Sequence, residues 1–298
     1  MTQSKKKSTI IITIPAYNEE RTLPRVLDEI HGVMKTTSYD YSILVVDDGS
    51  NDRTVDAIKN LNVAVVRKKH TGLAGTFQRE MEECLQRKAE IIVHTDADGQ
   101  YPAQYIPKLI AKVEQGYDLV LGSRFGKGRY RGSLAKLLGN KAFASTFSRL
   151  LKTKLTDTTT GFRAFTRDVA ALPLINSFTY TQEQLIRAGK SGLRVGEIPI
   201  KTRRTPRPSR LFNGPLDYAM KAWINIMRIY RDYEPIKFFG RIGVLFFSAG
   251  FSIGLWLLYR FFTLGYVGRI PSQILSVLLM LVGIQIVLFG FLADMMKR

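Results

Sequence analysis

Two stretches near the C-terminus carry no charge: Ile242–Tyr259 and, after a short loop, the 24 residues of Ile270–Ala293. Crossing the hydrocarbon of a bilayer takes about 20 mostly apolar residues at about 1.5 Å each. The second stretch qualifies alone. The first qualifies once Phe239–Gly240 and Phe261–Leu264 flank it. Both are apolar all round rather than along one stripe, unlike helices that pack one face on a soluble core. Arg260–Arg269 is too short for a domain, so the sequence predicts a hairpin of two spans, about 240–262 and 270–293.

Charge is as unevenly spread. The 298 residues carry a formal net charge of +19, made up of −1 over residues 1–100, +16 over 101–238 and +4 over 239–298. A basic middle segment suits anionic lipid, phosphorylated substrates or nucleic acid. No RNP-like or zinc motif accompanies it and it adjoins the spans, so no nucleic acid partner is expected. Lys201, Arg203, Arg204, Arg207, Arg210, Lys221, Arg228, Arg231, Lys237 and Arg241 precede the first span, and Lys297 and Arg298 follow the second. The hairpin loop holds only Arg260 and Arg269. Basic flanks mark the cytoplasmic side. The expectation is an integral membrane protein with its large N-terminal domain in the cytoplasm.

Between domain and hairpin, Leu216, Met220, Trp223, Met227 and Tyr230 fall at helical spacing, with Asp217, Lys221, Asn225, Arg228 and Asp232 around the rest of the turn. Residues 213–238 therefore read as an amphipathic helix in the headgroup layer. The organisation expected is a domain over 1–212, this interfacial helix, and a hairpin over 239–298. The single cysteine, Cys84, excludes an intramolecular disulfide and a cysteine-built metal site. Lys5–Lys7 precede a short apolar run that meets Pro15, which reads as a first strand rather than a leader.

Within the domain, Thr9–Ile14, Tyr41–Val46, Val63–Val66, Ile91–Thr95 and Leu119–Leu121 read as strands. Helical patterns follow at Arg21–Met34, Thr54–Lys59, Thr76–Lys88 and Ala103–Gln115, with Asp52 as a cap for the second. This alternation predicts an α/β domain with a mostly parallel sheet, whose ligands bind beyond the carboxyl ends of the strands. Those ends carry Pro15-Ala16-Tyr17-Asn18-Glu19-Glu20, Asp47-Asp48-Gly49-Ser50, Asp96-Ala97-Asp98-Gly99-Gln100 and Gly122-Ser123-Arg124. Alternate residues of an extended segment point the same way, so Asp96 and Asp98 can face one hard divalent cation and leave positions for diphosphate oxygens and water. Mg²⁺ and Mn²⁺ both suit such an oxygen-rich site. His70 and His94 read as packing or turn residues. Arg67-Lys68-Lys69 reads as solvated surface, and Gly72–Gly75 as a point of close helix packing.

The set PAYNEE, VVDDGSNDRT, TDADGQYP, GSRF and DTTTGFRAF, in this order, resembles the inverting family-two glycosyltransferases of GT-A fold. The hairpin after a domain of this size makes the chain similar to the polyprenyl-phosphate glycosyltransferases, a group that includes dolichyl-phosphate mannose synthases. The resemblance implies that Pro15, Tyr17 and Glu19 border the nucleotide, that Val46 and Asp48 contact the base edge, and that Asp96, Ala97, Asp98 and Gln100 hold diphosphate and metal. Metal ligation falls to Asp96, Asp98 and Gln100, with Mg²⁺ or Mn²⁺ as cofactor. Arg204 joins the nucleotide-sugar set. Arg124, Lys136, Arg207 and Arg210 take the acceptor phosphate. The implied catalytic group is Asp98, Arg124 and Asp157.

A phosphate monoester has a second pKa of about 6 and is already an anionic nucleophile at neutral pH. Asp157 is therefore expected to position rather than to act as a base. The implied partners are a GDP- or UDP-hexose, a polyprenyl phosphate (dolichyl or undecaprenyl) and the membrane. Two spans give a long lipid little shelter, which leaves room for a homo-oligomer. Two departures stand out. Lys136 lies where relatives often have Arg, and Arg204-Thr205-Pro206-Arg207-Pro208-Ser209-Arg210 lacks the glycine of the family loop and adds two prolines. Gln184-Leu185-Ile186-Arg187 is followed by Ala188, not the tryptophan of processive polysaccharide synthases. A diacylglycerol or protein acceptor, or a non-catalytic membrane scaffold, are the alternatives.

Overall fold

The structure, a computed structural model, describes residues 9–125, 144, 145, 147, 148, 151, 153–174, 180–203, 220, 224, 227, 228, 230–267 and 270–296. It divides into two compact units, Met1–Ala219 and Met220–Arg298.

The first unit is built on a sheet of seven described strands in the order β3-β2-β1-β4-β6-β5-β7. These are β1 (Ile10–Ala16), β2 (Tyr41–Asp47), β3 (Ala64–Arg67), β4 (Ile91–His94), β5 (Leu119–Ser123), β6 (Arg163–Thr166) and β7 (Val195–Pro199). All run parallel except β6, which is antiparallel to both β4 and β5. The first five match the predicted strands within one or two residues. β1 is buried along its whole length and almost wholly apolar, broken only by Thr13, as suits a strand covered on both faces. β6 (RAFT) and β7 (VGEIP) are not among the predicted strands: neither holds the β-branched or aliphatic run that marks the equally short β3, β4 and β5.

Helix α1 (Leu23–Met34) packs through Leu23, Val26, Leu27, Ile30 and Met34, and α3 (Ile106–Glu114) through Ile106, Leu109, Ile110 and Val113. Both stripes follow the i, i+3, i+4, i+7 rule. Between them, α2 (Leu73–Gln86) starts three residues earlier than predicted, from Gly72 at φ 84°. Cys84 lies buried on α2. The short α4 (Arg167–Ala170) and α5 (Tyr180–Lys190) follow β6. The helix expected at Thr54–Lys59 is only a 3-10 turn, Asp56–Ile58. Asp52 accepts from the Thr54 N–H (2.9 Å) and from Glu20, and the Thr54 hydroxyl accepts from the Glu19 N–H (2.8 Å). These side chains tie two loops together instead of capping a helix.

In the second unit, α6 (Pro235–Leu264) and α7 (Ile270–Met295) form an antiparallel pair, each long and apolar enough to cross a membrane. The first begins five residues before the predicted span, with Pro at its first turn, where a missing N–H costs nothing. Gly265, left-handed at φ 71°, ends it. The expected 213–238 helix lies mostly outside the described residues; those described at 220, 224, 227, 228 and 230–233 are helical.

The seam between the two helices is made of buried residues seven apart, all small but one. Gly243, Gly250 and Leu257 are buried on α6, and Ser276, Gly283 and Gly290 on α7. A Cβ on Gly243 would stand 2.6 Å from the Gly283 carbonyl, and one on Gly250 would stand 2.6 Å from the Ser276 carbonyl. Backbones this close let the Ser276 hydroxyl donate to the Gly250 carbonyl at 2.7 Å. A seven-residue repeat keeps one face aligned by a left-handed crossing. Large residues such as Leu278 and Phe262 point outward. Replacing Gly283 by Leu therefore overpacks the seam. The expected result is a loss of about 1–3 kcal/mol, read as a lower melting temperature in detergent. Leu278→Ala, on the outer face, leaves it unchanged.

Candidate active site

The position of β6 decides what the sheet's carboxyl edge can do. β1, β2, β4 and β5 end at this edge, while β6, running the other way, begins there. The segment before β6, Asp157–Phe162, is thereby inserted between the Asp96–Gln100 loop and Ser123–Arg124. Gly122 makes room for it, since a Cβ there would stand 2.8 Å from the Phe162 ring. Gly161 passes close to Asp96; its Cβ would lie 3.2 Å from Asp96 Oδ1.

Arg124 and Asp157 meet across this insertion. The Arg124 Nε and Nη2 groups donate to the two Asp157 oxygens at 2.7 and 3.0 Å, and the Arg124 backbone N–H donates to Oδ2 at 3.1 Å. Nη2 also donates to the Thr159 hydroxyl at 2.7 Å. Asp157 is completely buried and Arg124 partly exposed. Such a fork fixes the plane of a guanidinium as a single contact does not. Both Asp157 oxygens are thereby engaged by Arg124. β7 supports the loop: Glu197 accepts from the backbone N–H groups of Thr156 and Asp157 at 2.8 and 3.0 Å. Burial pushes the Glu197 carboxyl above its ordinary range.

Asp96 and Asp98 stand at the end of β4, with Ala97 buried between them. Asp98 Oδ1 accepts from the Gln100 N–H at 2.9 Å, which folds the turn. Burial pushes the Asp96 carboxyl up to about 6; His94 opposes this, Asp98 adds to it, and Arg124 and Arg163 oppose it. Two neighbouring carboxylates with hard oxygen donors fit a divalent cation, which would offset the charge that burial penalises. Among the described residues they form no group of three or more metal-binding side chains. The remaining ligands would come from Gln100, substrate and water.

A buried polar layer underlies the site. Arg163 is fully buried and donates to the carbonyls of Thr160 and Thr181 and to Gln184. Burial pulls its guanidinium down to about 10, so it stays charged at neutral pH. His94 is a packing residue, as expected, fully buried against the Phe77 and Tyr180 rings, and its Nδ1 also lies 3.0 Å from a Glu80 oxygen and 3.3 Å from the Thr13 hydroxyl.

The residues expected to border a nucleotide form a second cluster. The PAYNEE and DDGSNDRT loops are laced together, with Asn18 N–H donating to the Ser50 hydroxyl at 2.9 Å and Asn51 N–H to Asn18 Oδ1 at 2.9 Å. Asn18 is left-handed at φ 56°, which an asparagine tolerates. Pro15 and Glu19 are buried beside a half-buried Tyr17. Val46 is fully buried within β2, so its side chain belongs to the core. Asp48 is gripped by its own chain. Lys68 Nζ pairs with Oδ1, the Thr71 and Gly72 N–H groups donate at 2.9 Å each, and His70 Nδ1 lies 2.9 Å from Oδ2. Burial pushes the Asp48 carboxyl up, but Lys68 and the two amides outweigh it and hold it below its ordinary value. Lys68 is therefore not the solvated residue expected. Arg204, Arg207, Arg210 and Lys136 lie outside the described residues. Arg203, just before them, donates its backbone N–H to the Gln100 carbonyl at 2.9 Å and pairs with Glu29.

A family model described as glycosyl transferase family 2 matches residues 11–171. The chain belongs to glycosyl transferase family 2. The match spans β1 to α4 and contains the acidic loops, Arg124 and Asp157. Among curated members, glycosyltransferase AglJ of Haloferax volcanii is 27% identical over 296 residues, covering 96% of this chain and 93% of its own. A dolichyl-phosphate hexose transferase from the same organism is 29% identical over 208 residues, covering 68% of this chain and 86% of its own. Among solved structures, glucosyl-3-phosphoglycerate synthase from Mycobacterium tuberculosis, in complex with Mn²⁺, UDP and phosphoglyceric acid, aligns with a TM-score of 0.58 at 20% identity, covering 74% of this chain and 78% of that one. That likeness establishes a GT-A fold. The protein is a glycosyltransferase with this fold on the N-terminal side of two apolar helices.

The family-two domain yields a direct test of the Arg124–Asp157 fork. Asp157→Ala strands a partly buried guanidinium, with an expected stability loss of about 3–5 kcal/mol, read by thermal melting. Arg124→Ala is expected to lower turnover roughly 10²–10³-fold. Arg124→Lys should not restore it, because an ammonium cannot reproduce the fork.

Proposed function

We propose that this glycosyltransferase moves a hexose from a nucleotide sugar to a polyprenyl phosphate, with inversion at the anomeric carbon, and that its hairpin crosses the membrane with the catalytic domain in the cytoplasm. The observation that carries the reading is the convergence at one sheet edge of Asp96 and Asp98 with the oriented cation of Arg124. That pairing suits a reaction in which one phosphorylated group leaves and another attacks.

Asp96, Asp98 and Gln100 would hold Mg²⁺ or Mn²⁺, which when bound neutralises charge on the departing nucleoside diphosphate. Pro15, Tyr17, Glu19, Asp48 and Ala97 frame the nucleotide, with Val46 behind them in the core, and Arg204 joins them from the sequence. Arg124, held flat by Asp157 and Thr159, receives phosphate oxygens of donor and acceptor. Lys136, Arg207 and Arg210 extend the acceptor site. The acceptor phosphate oxygen forms the new bond to the anomeric carbon as the bond from that carbon to the diphosphate oxygen breaks. The nucleophile is already anionic, so no proton has to be removed. This agrees with an Asp157 whose oxygens are both engaged by Arg124. The relatives' acceptor and the +16 of residues 101–238 support a phosphorylated lipid.

The test is a panel of GDP- and UDP-hexoses offered with polyprenyl phosphate to the protein in membranes, scored by product mass. A polyprenyl-phosphate hexose is expected, abolished by chelation of divalent cations and by Asp98→Ala. A glycosylated diacylglycerol or protein would overturn the acceptor assignment. Activity that survives Asp98→Ala would overturn the metal site.

A further inference from the structure

His70 is left over by the reading above, and its surroundings are unusual for a loop histidine. Its ring stacks on Tyr17 with centroids 4.4 Å apart and planes 29° apart. Its Nδ1 lies 2.9 Å from Asp48 Oδ2 and 3.1 Å from the Asp48 carbonyl. Both neighbours are acceptors, which assigns the proton to Nδ1. So one flat, unsaturated ring lies on Tyr17 and gives an N–H to Asp48. A nucleobase held by those two residues would do the same two things.

Asp48 shows why both cannot be there together. A carboxylate has about four lone-pair sites. Lys68 Nζ and the Thr71 N–H fall on Oδ1 and the Gly72 N–H on Oδ2, while the His70 Nδ1–H, donated to the Asp48 carbonyl, stands 2.9 Å from Oδ2 and takes the space beside the remaining site. Two of the donors are backbone amides at the start of α2, and Lys68 is a side chain only 16% exposed. His70 is 55% exposed. It is the donor that can leave by side-chain rotation with the backbone in place. The backbone there is fixed by Gly49, left-handed at φ 74°, where a Cβ would stand 3.1 Å from the His70 nitrogen and 3.2 Å from the Lys68 carbonyl.

We propose that His70 is a built-in stand-in for the nucleobase, occupying the Tyr17–Asp48 subsite in the donor-free protein and exchanging with the base when the nucleotide sugar binds. The inference rests on the reading of Tyr17 and Asp48 as the base site. It makes His70 a determinant of donor affinity. A base must outcompete it by stacking and by offering a ring N–H, as uracil N3–H and guanine N1–H do. Only the fraction of molecules with the imidazole displaced is competent to bind, so apparent affinity falls by that fraction.

The experiment titrates UDP and GDP, with Mg²⁺, into the full-length protein in detergent by calorimetry, alongside His70→Ala, His70→Phe and Asp48→Asn. His70→Ala is expected to tighten whichever nucleotide binds by about two- to tenfold, the equivalent of one stacked aromatic pair, with an unchanged melting temperature. His70→Phe keeps the stack without the N–H and should fall between the two. A His70→Ala protein that binds equally or more weakly overturns the proposal, because the ring is then inert or a lasting wall of the site. Asp48→Asn with unaltered affinity, or no binding of either nucleotide to the unaltered protein, would instead remove the base-site reading on which the proposal stands.

Discussion

One reversed strand organises this molecule. A wholly parallel sheet would place the segment before β6 at the opposite edge from the acidic loops. Because β6 runs antiparallel between β4 and β5, its leading loop opens onto the same edge as theirs, and Asp157 reaches Arg124. Close packing enforces the arrangement at Gly122, where the backbone leaves no room for a side chain beside Phe162, and the Gly161 backbone lies tight against Asp96. The fork and the carboxylate pair are thus consequences of topology.

The layer beneath the site carries the cost of that arrangement. Arg163, Glu80 and His94 are buried, and burying charge is expensive unless partners are close. Arg163 spends its donors on two carbonyls and Gln184, and Glu80 faces His94. The charges tied up there also act upward, since Arg163 and His94 both oppose the rise in the Asp96 carboxyl. The electrostatics of the candidate metal site are therefore set from below as well as by Asp98.

Much of this was legible in the sequence, for physical reasons that also mark where reading failed. β1 to β5 were visible because β-branched runs bounded by turn residues have few other uses. The hairpin was visible because uncharged stretches of that length have fewer still. Arg124, Asp157, Asp96 and Asp98 came from strand ends and from family resemblance, and they stand where one sheet edge gathers them. β6 (RAFT) and β7 (VGEIP) escape such reading because neither holds a β-branched run like those of the equally short β3 and β4. With β7 went Glu197, whose importance lies in backbone groups about 40 residues away. Thr54–Lys59 was read as helix because propensity is local, whereas Thr54 and Asp52 are claimed by the loop at Glu19–Glu20. Lys68 reads as surface and His70 as a packing or turn residue because nothing in a sequence shows that they converge on Asp48.

The glycine seam of the hairpin bears on how such a chain can vary. Its contacts recur every seven residues on both helices, so each small residue must arrive at the same phase as its partner. Adding one residue to an α-helix turns everything beyond it by about 100°. A single insertion within either helix would swing the later glycines out of the seam and bring leucines in. The outward positions have no such requirement, since lipid accepts any apolar shape. The hairpin should therefore be permissive toward substitution and intolerant of changes in length, the reverse of what loops allow.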